Sequence, residues 1–290
     1  MAFIKTESRQ YLTYLLAEDA AQARLEVVPK RGGIITRWSV AGKDLLYLDQ
    51  ERFRDPGLSV RGGVPILFPI CGNLPDNAYT VDGQMYGLKQ HGFARDLPWQ
   101  VVDQAVEDGV SLTLLLESSP ETRSRYPFDF QLRFTYHIRG PVLEIRQEVA
   151  NVGSVTMPFS LGLHPYFTVV DKSQLSFQIP ATQLIDQRTQ LSHTFLNGFD
   201  FALDEIDVIF PELATQQATV RDAAQNHQLT FEFDQFYSNL VFWTLKEKDF
   251  YCLEPWSAGR NALNTGDRLT LLPPGKQLQT WFRLRVSPLE

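Results

Sequence analysis

The chain of 290 residues contains only two cysteines, Cys71 and Cys252, and no CxxC pair. Two cysteines are too few for a disulfide framework, and the usual cysteine spacing of a zinc site is missing. We therefore expect both thiols to be reduced, as is usual in the cytoplasm.

Basic residues are also in the minority. The chain has 27 lysines and arginines against 34 aspartates and glutamates, which gives a formal net charge of −7. Proteins that bind nucleic acid in a general way usually carry a basic excess or a basic stripe. We expect no nucleic-acid partner, although two or three arginines could still hold a small anionic ligand.

Long hydrophobic runs are missing as well. The apolar stretch VPILFPICG is interrupted by proline and glycine, and no run approaches the roughly 20 residues of a membrane-spanning helix. The first residues, MAFIKTESRQYLTYLL, lack the charged start and the long apolar core of a secretory signal. The sequence predicts a cytoplasmic protein without a membrane partner.

Helical patterns are scarce, and alternation of apolar and polar residues with period two is found in their place. Even the best helical candidate, EDAAQARLEVV, is more typical of a strand at its end. The alternation predicts strands at residues 110–118, 130–138, 142–149, 227–234, 240–245, 250–256 and 277–286. The second and third of these are joined by a short turn with Gly140 and Pro141, which predicts a hairpin over residues 130–149.

The fold predicted from this pattern is all-β. Many short strands separated by 18 glycines and 17 prolines are typical of a large antiparallel β-sandwich, with two packed sheets. Neither a low-complexity linker nor an internal repeat divides the chain, so we expect a single domain over residues 1–290.

Three segments interrupt the alternation, at residues 61–99, 161–167 and 254–267. Irregular segments on a rigid β scaffold often carry binding chemistry. Their candidate ionisable residues are Arg61, His91, Arg95, His164, Glu254 and Arg260. Each has an ordinary explanation too: the arginines and His91 could be solvated loop residues, and His164 could be a buried structural histidine.

His164 and Glu254 have the most unusual surroundings. In SLGLHPYFTV, His164 precedes Pro165, which restricts its backbone to extended conformations and limits where the imidazole can point. Glu254 follows the apolar run FYCL, and carboxylates are seldom buried without a partner. We expect Glu254 either to face a pocket at a strand end or to pair with an arginine.

Several other functions find no support in the motifs. The chain has no HxH or HExxH spacing, so we expect no metal, and it has no Walker, GxGxxG or GxSxG motif. Among the other histidines, His137 is predicted to be structural in the hairpin, whereas His193 and His227 are predicted to lie in exposed polar loops.

Two histidines and a glutamate make a plausible acid/base set, because imidazole titrates near neutral pH and a carboxylate can accept a hydroxyl proton. The flat faces against which a sugar ring could lie are predicted to come from Phe68, Phe93, Tyr166, Phe167 and Trp256.

The motifs HGFAR, LGLHPYF and EPW followed by NALNTGD resemble the aldose 1-epimerase (galactose mutarotase-like) family, from about residue 24 to the C-terminus. RGGVPILFP with HGFARDLPW is most similar to its hexose-6-phosphate-mutarotase-like branch. The resemblance implies a large antiparallel β-sandwich with an open carbohydrate cleft and no cofactor.

The resemblance also implies catalytic roles. Glu254 would be the general base on the anomeric hydroxyl, His164 would protonate the ring oxygen, and His91 would bind and polarise the sugar. Together these steps open a cyclic hemiacetal and reclose it on the other face.

Substrate binding is implied for three more residues. Arg61 matches the family's arginine before the first histidine, Asp207 is the best candidate for the aspartate that contacts sugar hydroxyls, and Arg61 and Arg95 are available for a phosphate. The segment EPWSAGRNALNTGD, however, is more similar to members that act on free aldoses.

The resulting prediction is a mutarotase acting on a hexose or a hexose 6-phosphate, as a monomer or a homodimer. The alternative is a sugar-binding sandwich without catalytic activity, since a fold does not guarantee its chemistry.

Overall fold

A computed structural model describes residues 1–289, and most of the regular structure in them is β-strand. The strands, numbered in chain order, are β1 (Ala2–Ser8), β2 (Leu12–Glu18), β3 (Ala23–Val28), β4 (Ile34–Val40), β5 (Lys43–Asp44), β6 (Ile66–Leu67), β7 (Ala78–Val81), β8 (Gln84–Gly87), β9 (Gln100–Ala105), β10 (Val110–Glu117), β11 (Phe130–Arg139), β12 (Val142–Asn151), β13 (Met157–Phe159), β14 (Gly162–Leu163), β15 (Tyr166–Thr168), β16 (Leu175–Gln178), β17 (Gln183–Asp186), β18 (Ser192–Thr194), β19 (Glu205–Phe210), β20 (Gln217–Asp222), β21 (His227–Phe233), β22 (Asn239–Leu245), β23 (Phe250–Trp256), β24 (Thr270–Leu272) and β25 (Gln277–Pro288). The helices are α1 (Gln50–Arg54), α2 (Pro120–Arg123) and α3 (Ala262–Thr265), with 3₁₀ turns at Pro75–Asn77 and Lys172–Gln174.

The strands form two eight-stranded antiparallel sheets. The first, here called the outer sheet, has the order β16-β20-β21-β25-β12-β11-β10-β9. The second, here called the site sheet, has the order β18-β17-β19-β22-β23-β14-β6, and β15 also pairs with β23. A five-stranded sheet, β1 to β5, here called the N-terminal sheet, and two ribbons, β13-β24 and β7-β8, complete the topology. The predicted all-β antiparallel sandwich is confirmed.

Period-two alternation predicted seven strands that the structure contains, and β11 and β21 show why, since each has one buried and one less buried face, whereas β23 is buried on both faces. The hairpin predicted over residues 130–149 is the β11–β12 pair, in register from Phe130 opposite Asn151 to Arg139 opposite Val142. Gly140 has a positive φ of 57° in its turn. The segment with mixed helix and strand character contains β3, so its strand interpretation is confirmed.

The core lies between the sheets and uses one face of each strand. Phe167 of β15 stacks on Tyr251 of β23 with ring centroids 5.3 Å apart, and it contacts Phe231 of the outer sheet at 5.1 Å. All three are essentially fully buried. Because side chains alternate along a strand, the residues next to Phe167 and Tyr251 must point to the opposite face of the site sheet.

Two predictions about which side chains are exposed are wrong. Phe68, Phe93 and Phe167 belong to the main hydrophobic core, so the flat faces predicted for a sugar are not theirs. His227 lies in β21 and is 5% exposed, rather than in an exposed loop. His193 is exposed as predicted but belongs to β18. Alternation shows where a strand is, but it does not show how deeply each end of the strand is covered.

No helix within residues 1–289 is long and apolar enough to cross a membrane.

Candidate active site

The face of the site sheet that points away from the core forms the floor of a cavity of about 430 Å³. Loop residues from around α1 and from the segments 61–99 and 254–267 complete its walls. All six predicted site residues line it, namely Arg61, His91, Arg95, His164, Asp207 and Glu254. The structure therefore brings together side chains that are up to 193 positions apart, as between Arg61 and Glu254.

Strand register places His164 beside Glu254. Tyr166 of β15 pairs with Cys252 of β23, so the position two residues earlier, His164, is level with Glu254. Residues opposite each other on antiparallel strands have Cβ atoms about 4.5–5.5 Å apart. The resulting distance between His164 Nε2 and Glu254 Oε1 is 3.3 Å. The backbone N–H of His164 donates to the carbonyl of Pro65 at 3.0 Å, which holds the histidine in place.

Glu254 is a buried carboxyl group, only 1% exposed. Its Oε2 accepts a hydrogen bond of 3.0 Å from the indole N–H of Trp256. Burial raises the pKa of Glu254 well above its ordinary value, and the hydrogen bond from Trp256 and the charges of Arg260 and Arg95 oppose this only in part. The carboxyl group therefore keeps a proton more readily than an exposed glutamate does.

His164 is shifted in the opposite direction. Burial, followed by the positive charge of Arg95, lowers the pKa of His164 to about 3. Its ring stacks on Tyr166 with centroids 4.6 Å apart, and Trp243 meets it edge-on at 5.8 Å. Its Nδ1 is buried without a hydrogen-bond partner among residues 1–289. The imidazole is therefore neutral at neutral pH.

His91 is held by a reciprocal pair of hydrogen bonds with Gly72. Its backbone N–H donates to the Gly72 carbonyl at 2.6 Å, and the Gly72 N–H donates to His91 Nδ1 at 3.1 Å. Since Nδ1 accepts a hydrogen bond, the ring proton of neutral His91 is on Nε2. Burial, with a smaller effect from Arg95, lowers the pKa of His91 well below its ordinary value. His91 is thus a fixed neutral hydrogen-bond donor.

Asp207 belongs to a network with two residues from other segments. Arg260 Nη2 donates to Asp207 Oδ2 at 2.6 Å, and Gln187 Nε2 donates to Asp207 Oδ1 at 2.7 Å. Arg260 also donates through Nε to Gln187 at 2.7 Å and through Nη1 to Asn73 at 2.9 Å. Burial raises the pKa of Asp207 despite these partners. Arg260 was among the ionisable residues of the irregular segments, but the sequence predicted no role for it.

Three cavity arginines, Arg52, Arg61 and Arg95, form no ion pair with a carboxylate of residues 1–289. Arg95 Nη2 donates to the Gln90 carbonyl at 2.8 Å, while its Nε is buried without a partner in the same part of the chain. Burial is the main cause that lowers the pKa of Arg95, and Arg52 adds to it by repulsion. The Arg61 guanidinium lies 5.7 Å from the Trp243 ring centroid.

Arg52 was missed from the sequence because it belongs to no recognised motif. Its helix, α1, begins after Asp49, whose side chain accepts from the Arg52 backbone N–H at 3.1 Å. The buried guanidinium of Arg31 then holds the helix and the turn that follows it, because its Nη2 donates to the carbonyls of Arg52, Asp55 and Leu58 at 3.2, 2.8 and 2.5 Å. This anchoring fixes the position of Arg52 on the cavity wall.

The aromatic part of the wall also differs from the prediction. Of the predicted aromatic residues, only Tyr166 and Trp256 line the cavity, and Trp243 joins them. Trp243 is positioned by its indole N–H, which donates to Glu205 Oε1 at 2.8 Å. It lies on the same strand face as the catalytic candidates, so alternation within LVFWTL is the signal that could have identified it.

Three neighbouring side chains, two on the cavity floor and one beneath it, are of residue types that bind metal ions. His164, Cys252 and Glu254 each offer one ligand atom, and these atoms lie within 4.8 Å of one another.

The sandwich has the galactose mutarotase-like fold of its solved structural neighbours. Residues 16–285 match the sequence profile of the family described as Aldose 1-epimerase, and the chain belongs to this family. The resemblance predicted from the motifs is thereby confirmed. Family membership supports an isomerase of the mutarotase type with a sugar substrate.

Individual relatives agree with this assignment. The LacX protein of Lactococcus lactis subsp. lactis is 29% identical over 267 residues, which cover 82% of this chain and 86% of LacX. An Escherichia coli protein described as "Putative glucose-6-phosphate 1-epimerase" is 29% identical over 216 residues, covering 73% of this chain and 68% of that protein.

Solved structures show the same fold. The Slr1438 protein from Synechocystis sp. PCC 6803 is 45% identical, with a TM-score of 0.95 and 98% of each chain covered. A galactose mutarotase-like protein from Clostridium acetobutylicum is 20% identical, with a TM-score of 0.84 and 99% of each chain covered. This second similarity establishes the fold alone.

Proposed function

We propose that this protein interconverts the α and β anomers of a hexose 6-phosphate, with Glu254 and His164 as the proton-transfer pair. The observation that carries the proposal is the 3.3 Å contact between His164 Nε2 and Glu254 Oε1 in a polar cavity of about 430 Å³. General acid/base catalysis requires each group to be within hydrogen-bond reach of its own reacting atom. This contact places the two groups beside each other, as O1 and O5 are both bonded to C1.

Ring opening needs one group to accept a proton and another to donate one. The Glu254 carboxylate takes the proton from the anomeric hydroxyl O1 while protonated His164 gives its proton to the ring oxygen O5. The C1–O5 bond breaks, O1 becomes the aldehyde oxygen, and the aldehyde rotates about the C1–C2 bond. Reclosure reverses both transfers on the other face of C1, so the enzyme ends in its starting state.

The pair carries one proton throughout this cycle, on His164 before ring opening and on Glu254 after it. The opposite shifts of the two pKa values favour the neutral arrangement with the proton on Glu254, mainly because burial penalises both charged forms. That arrangement is the one needed for reclosure. The hydrogen bond from Trp256 supports the carboxylate form that is needed for ring opening.

The other cavity residues would hold the sugar. His91 has its Nε2 proton available because Gly72 occupies Nδ1, so it can donate to O5 or to a hydroxyl without changing charge. Asp207 and Arg260 are fixed against each other and can together bind a neighbouring pair of hydroxyls. Tyr166, Trp243 and Trp256 supply flat apolar surface for the ring.

The phosphate assignment rests on Arg52, Arg61 and Arg95. Cations without a carboxylate partner on a partly buried wall are poised for an anionic ligand, because arginine binds phosphate oxygens through charge-assisted, often bidentate hydrogen bonds. Each such bond contributes about 1.5–3 kcal/mol. The segment EPWSAGRNALNTGD, which resembles members acting on free aldoses, contributes Arg260 to the Asp207 network and leaves these three arginines untouched.

Polarimetry on freshly dissolved pure anomers tests the proposal. We expect α-glucose 6-phosphate to equilibrate faster in the presence of the protein than in buffer, and with a larger kcat/KM than α-glucose or α-galactose. A preference for a free sugar would refute the phosphate assignment. Equilibration at the buffer rate for every sugar, together with calorimetric binding of one of them, would support the sugar-binding protein without catalytic activity.

Arg95→Ala separates the two parts of the proposal. We expect it to raise KM for the phosphorylated sugar about tenfold or more, through loss of a charged hydrogen bond, and to change KM for the free sugar far less. Equal losses on both sugars would show that Arg95 has a structural role and does not bind phosphate.

A further inference from the structure

Cys252 lies under the proposed catalytic pair and takes no part in the sugar chemistry. On β23 it is two residues before Glu254, so both side chains point to the same face of the site sheet. Its partner across the strand pair is Tyr166, which covers it together with Phe250 in a small apolar cluster. The thiol is fully buried, and burial raises its pKa well above the ordinary value.

Three potential metal ligands meet at this point, and the one spacing between His164 and Glu254 is that of a tetrahedral metal site. Zinc bound to nitrogen, oxygen and sulfur at its usual bond lengths of about 2.0–2.3 Å requires ligand atoms about 3.3–3.6 Å apart. His164 Nε2 and Glu254 Oε1 are already 3.3 Å apart. All three ligand atoms lie within 4.8 Å of one another, so an ion held by His164 and Glu254 would have the Cys252 sulfur close by. His164 and Glu254 line the cavity, which leaves a fourth position open toward it.

Charge balance decides which ions could bind. A divalent cation there would be repelled by Arg95 and Arg61, whose charges already lower the pKa of His164 after the larger effect of burial. A Cys252 thiolate and a Glu254 carboxylate would together neutralise the ion, and the metal would displace both the thiol proton and the proton held by Glu254 to solvent. Only an ion with high affinity for sulfur gains enough from the thiolate to offset the repulsion, which favours Zn²⁺ and Cd²⁺ over Mg²⁺ and Ca²⁺.

We propose that His164, Cys252 and Glu254 form a binding site for a thiophilic divalent cation, Zn²⁺ or Cd²⁺, whose occupancy shuts down the proton-transfer pair. The metal holds both lone pairs that the proposed mechanism uses for proton transfer, so a bound ion and a reacting sugar exclude each other. The inhibitory consequence rests on the proposed function, whereas the metal site itself does not.

Cadmium absorption measures the site directly. Cd²⁺ bound to a thiolate gives an ultraviolet charge-transfer band, so the protein without sugar is titrated with Cd²⁺ and then with a chelator. Sugar is left out because a phosphate ester itself binds cations. We expect one equivalent of Cd²⁺ to produce the band and the chelator to remove it, whereas Mg²⁺ and Ca²⁺ do not compete. A wild-type protein without a thiolate band at saturating Cd²⁺ would overturn the proposal.

Matched cysteine variants identify the ligand. Cys71→Ser leaves Cys252 as the sole thiol and should keep the full band and the inhibition by Zn²⁺, assayed with a free aldose. Cys252→Ser should lose the band, keep its metal-free activity within about twofold, and need about 100-fold or more Zn²⁺ for half-inhibition. A band that survives in Cys252→Ser but disappears in Cys71→Ser would overturn the assignment.

The two proposals can fail separately. If Cys252→Ser does not fold, the titration of Cys71→Ser alone decides the ligand. If no sugar is isomerised, the cadmium band still reports the site, and Glu254→Gln should then weaken Cd²⁺ binding about tenfold or more by removing an anionic ligand. Unchanged Cd²⁺ affinity in that variant would refute the role of Glu254 in the site.

Discussion

His164 and Glu254 show how one environment shifts two pKa values in opposite directions. Burial disfavours the charged form of each group, so it lowers the pKa of the imidazole and raises the pKa of the carboxyl group. The two proton affinities are inverted relative to those in water, where histidine holds the proton. The neutral arrangement, with the proton on Glu254, is therefore the stable one, and the proposed ring opening requires the proton to move to His164.

Removing either partner should abolish most of the activity. We expect Glu254→Gln and His164→Asn to fold normally and to lose about 10²–10⁴-fold in kcat, the usual contribution of a positioned acid or base. Since the two act as a unit, the double variant should be little worse than the single ones. The assay is polarimetry on the preferred sugar, and His193→Asn, an exposed histidine of β18, is the control. Near-wild-type turnover in either single variant would refute the assigned roles.

The pH dependence follows from the His164 shift. Because its pKa is lowered to about 3, the pair gains a second proton only far below the usual imidazole range near pH 6.5. We expect kcat/KM for free glucose to stay constant as the pH falls from about 7 to about 5. A free sugar is required, since a phosphate ester titrates near pH 6 by itself. An acid limb centred near pH 6.5 would show that His164 is solvated in the working enzyme.

At the residue scale, the motifs of the sequence identified most of the site residues, and a residue outside every motif was missed. His91, Arg95, His164 and Glu254 stand in recognisable segments, and each lines the cavity. Arg52 could not be found in this way, because its place on the wall depends on a contact with Arg31, 21 positions earlier in the chain. The roles proposed for all of these residues await the experiments described.

At the scale of elements, α1 presents its two arginines to different surroundings. Arg52 lines the proposed sugar cavity, whereas Arg54 lines a separate cavity beside the N-terminal sheet. We expect Arg52→Ala to raise KM for glucose 6-phosphate about tenfold or more by loss of a charged hydrogen bond, with little effect on free glucose. Arg54→Ala, in the same short helix, should change neither value. Equal effects of the two substitutions would indicate a disturbed helix.

Gly72 joins two of the segments that form the cavity. It has a φ of 71°, and a Cβ there would overlap Cγ of Arg260, while its own N–H holds His91. Gly72→Ala should therefore displace both side chains and lower kcat/KM by about tenfold or more, as misplacement of a positioned group does.

The matched control is Gly83→Ala. Gly83 has a similar φ of 80° but nothing within 4 Å of its added Cβ, so it carries only the backbone penalty of about 1 kcal/mol in stability. Urea unfolding and kinetics measured on both variants separate this penalty from the effect on the site. A Gly72→Ala enzyme as active as Gly83→Ala would contradict the proposed coupling.

Strand positions were predictable from the sequence because alternation is a local property, but strand register was not. The level pairing of His164 with Glu254 depends on β15 meeting β23 at Tyr166 and Cys252. A shift of one residue would have turned Glu254 into the core. Register is set by the packing of whole sheets, which a single sequence does not display.

At the scale of the whole molecule, one hydrophobic core extends through the N-terminal, outer and site sheets, from Leu16 to Leu284. The prediction of a single domain over residues 1–290 can be tested through this continuity. We expect urea unfolding curves measured by far-ultraviolet circular dichroism and by tryptophan fluorescence to coincide. Trp38→Phe removes the fluorescent reporter in β4. In this variant the urea midpoint measured by fluorescence should still equal the midpoint measured by circular dichroism. Two separated transitions would divide the chain into independent units.

The all-β sandwich was predictable at this scale because alternation and turn residues recur along most of the chain. The burial of His227 and of Phe68 was not, because it depends on which strand ends other segments cover. The same limit applies to the cavity, whose walls come from segments that are far apart in the sequence.

The floor of the cavity is formed mainly by paired strands, whereas the wall that carries Arg52 and Arg61 is formed by a connection between strands. Glu254 lies in β23 and His164 lies between the paired strands β14 and β15, whereas Arg52 and Arg61 lie on the connection between β5 and β6. Connections tolerate replacement far better than paired strands do. Grafting another loop in place of residues 49–61 is therefore a practical way to change the sugar that is bound while the proposed proton-transfer pair stays intact.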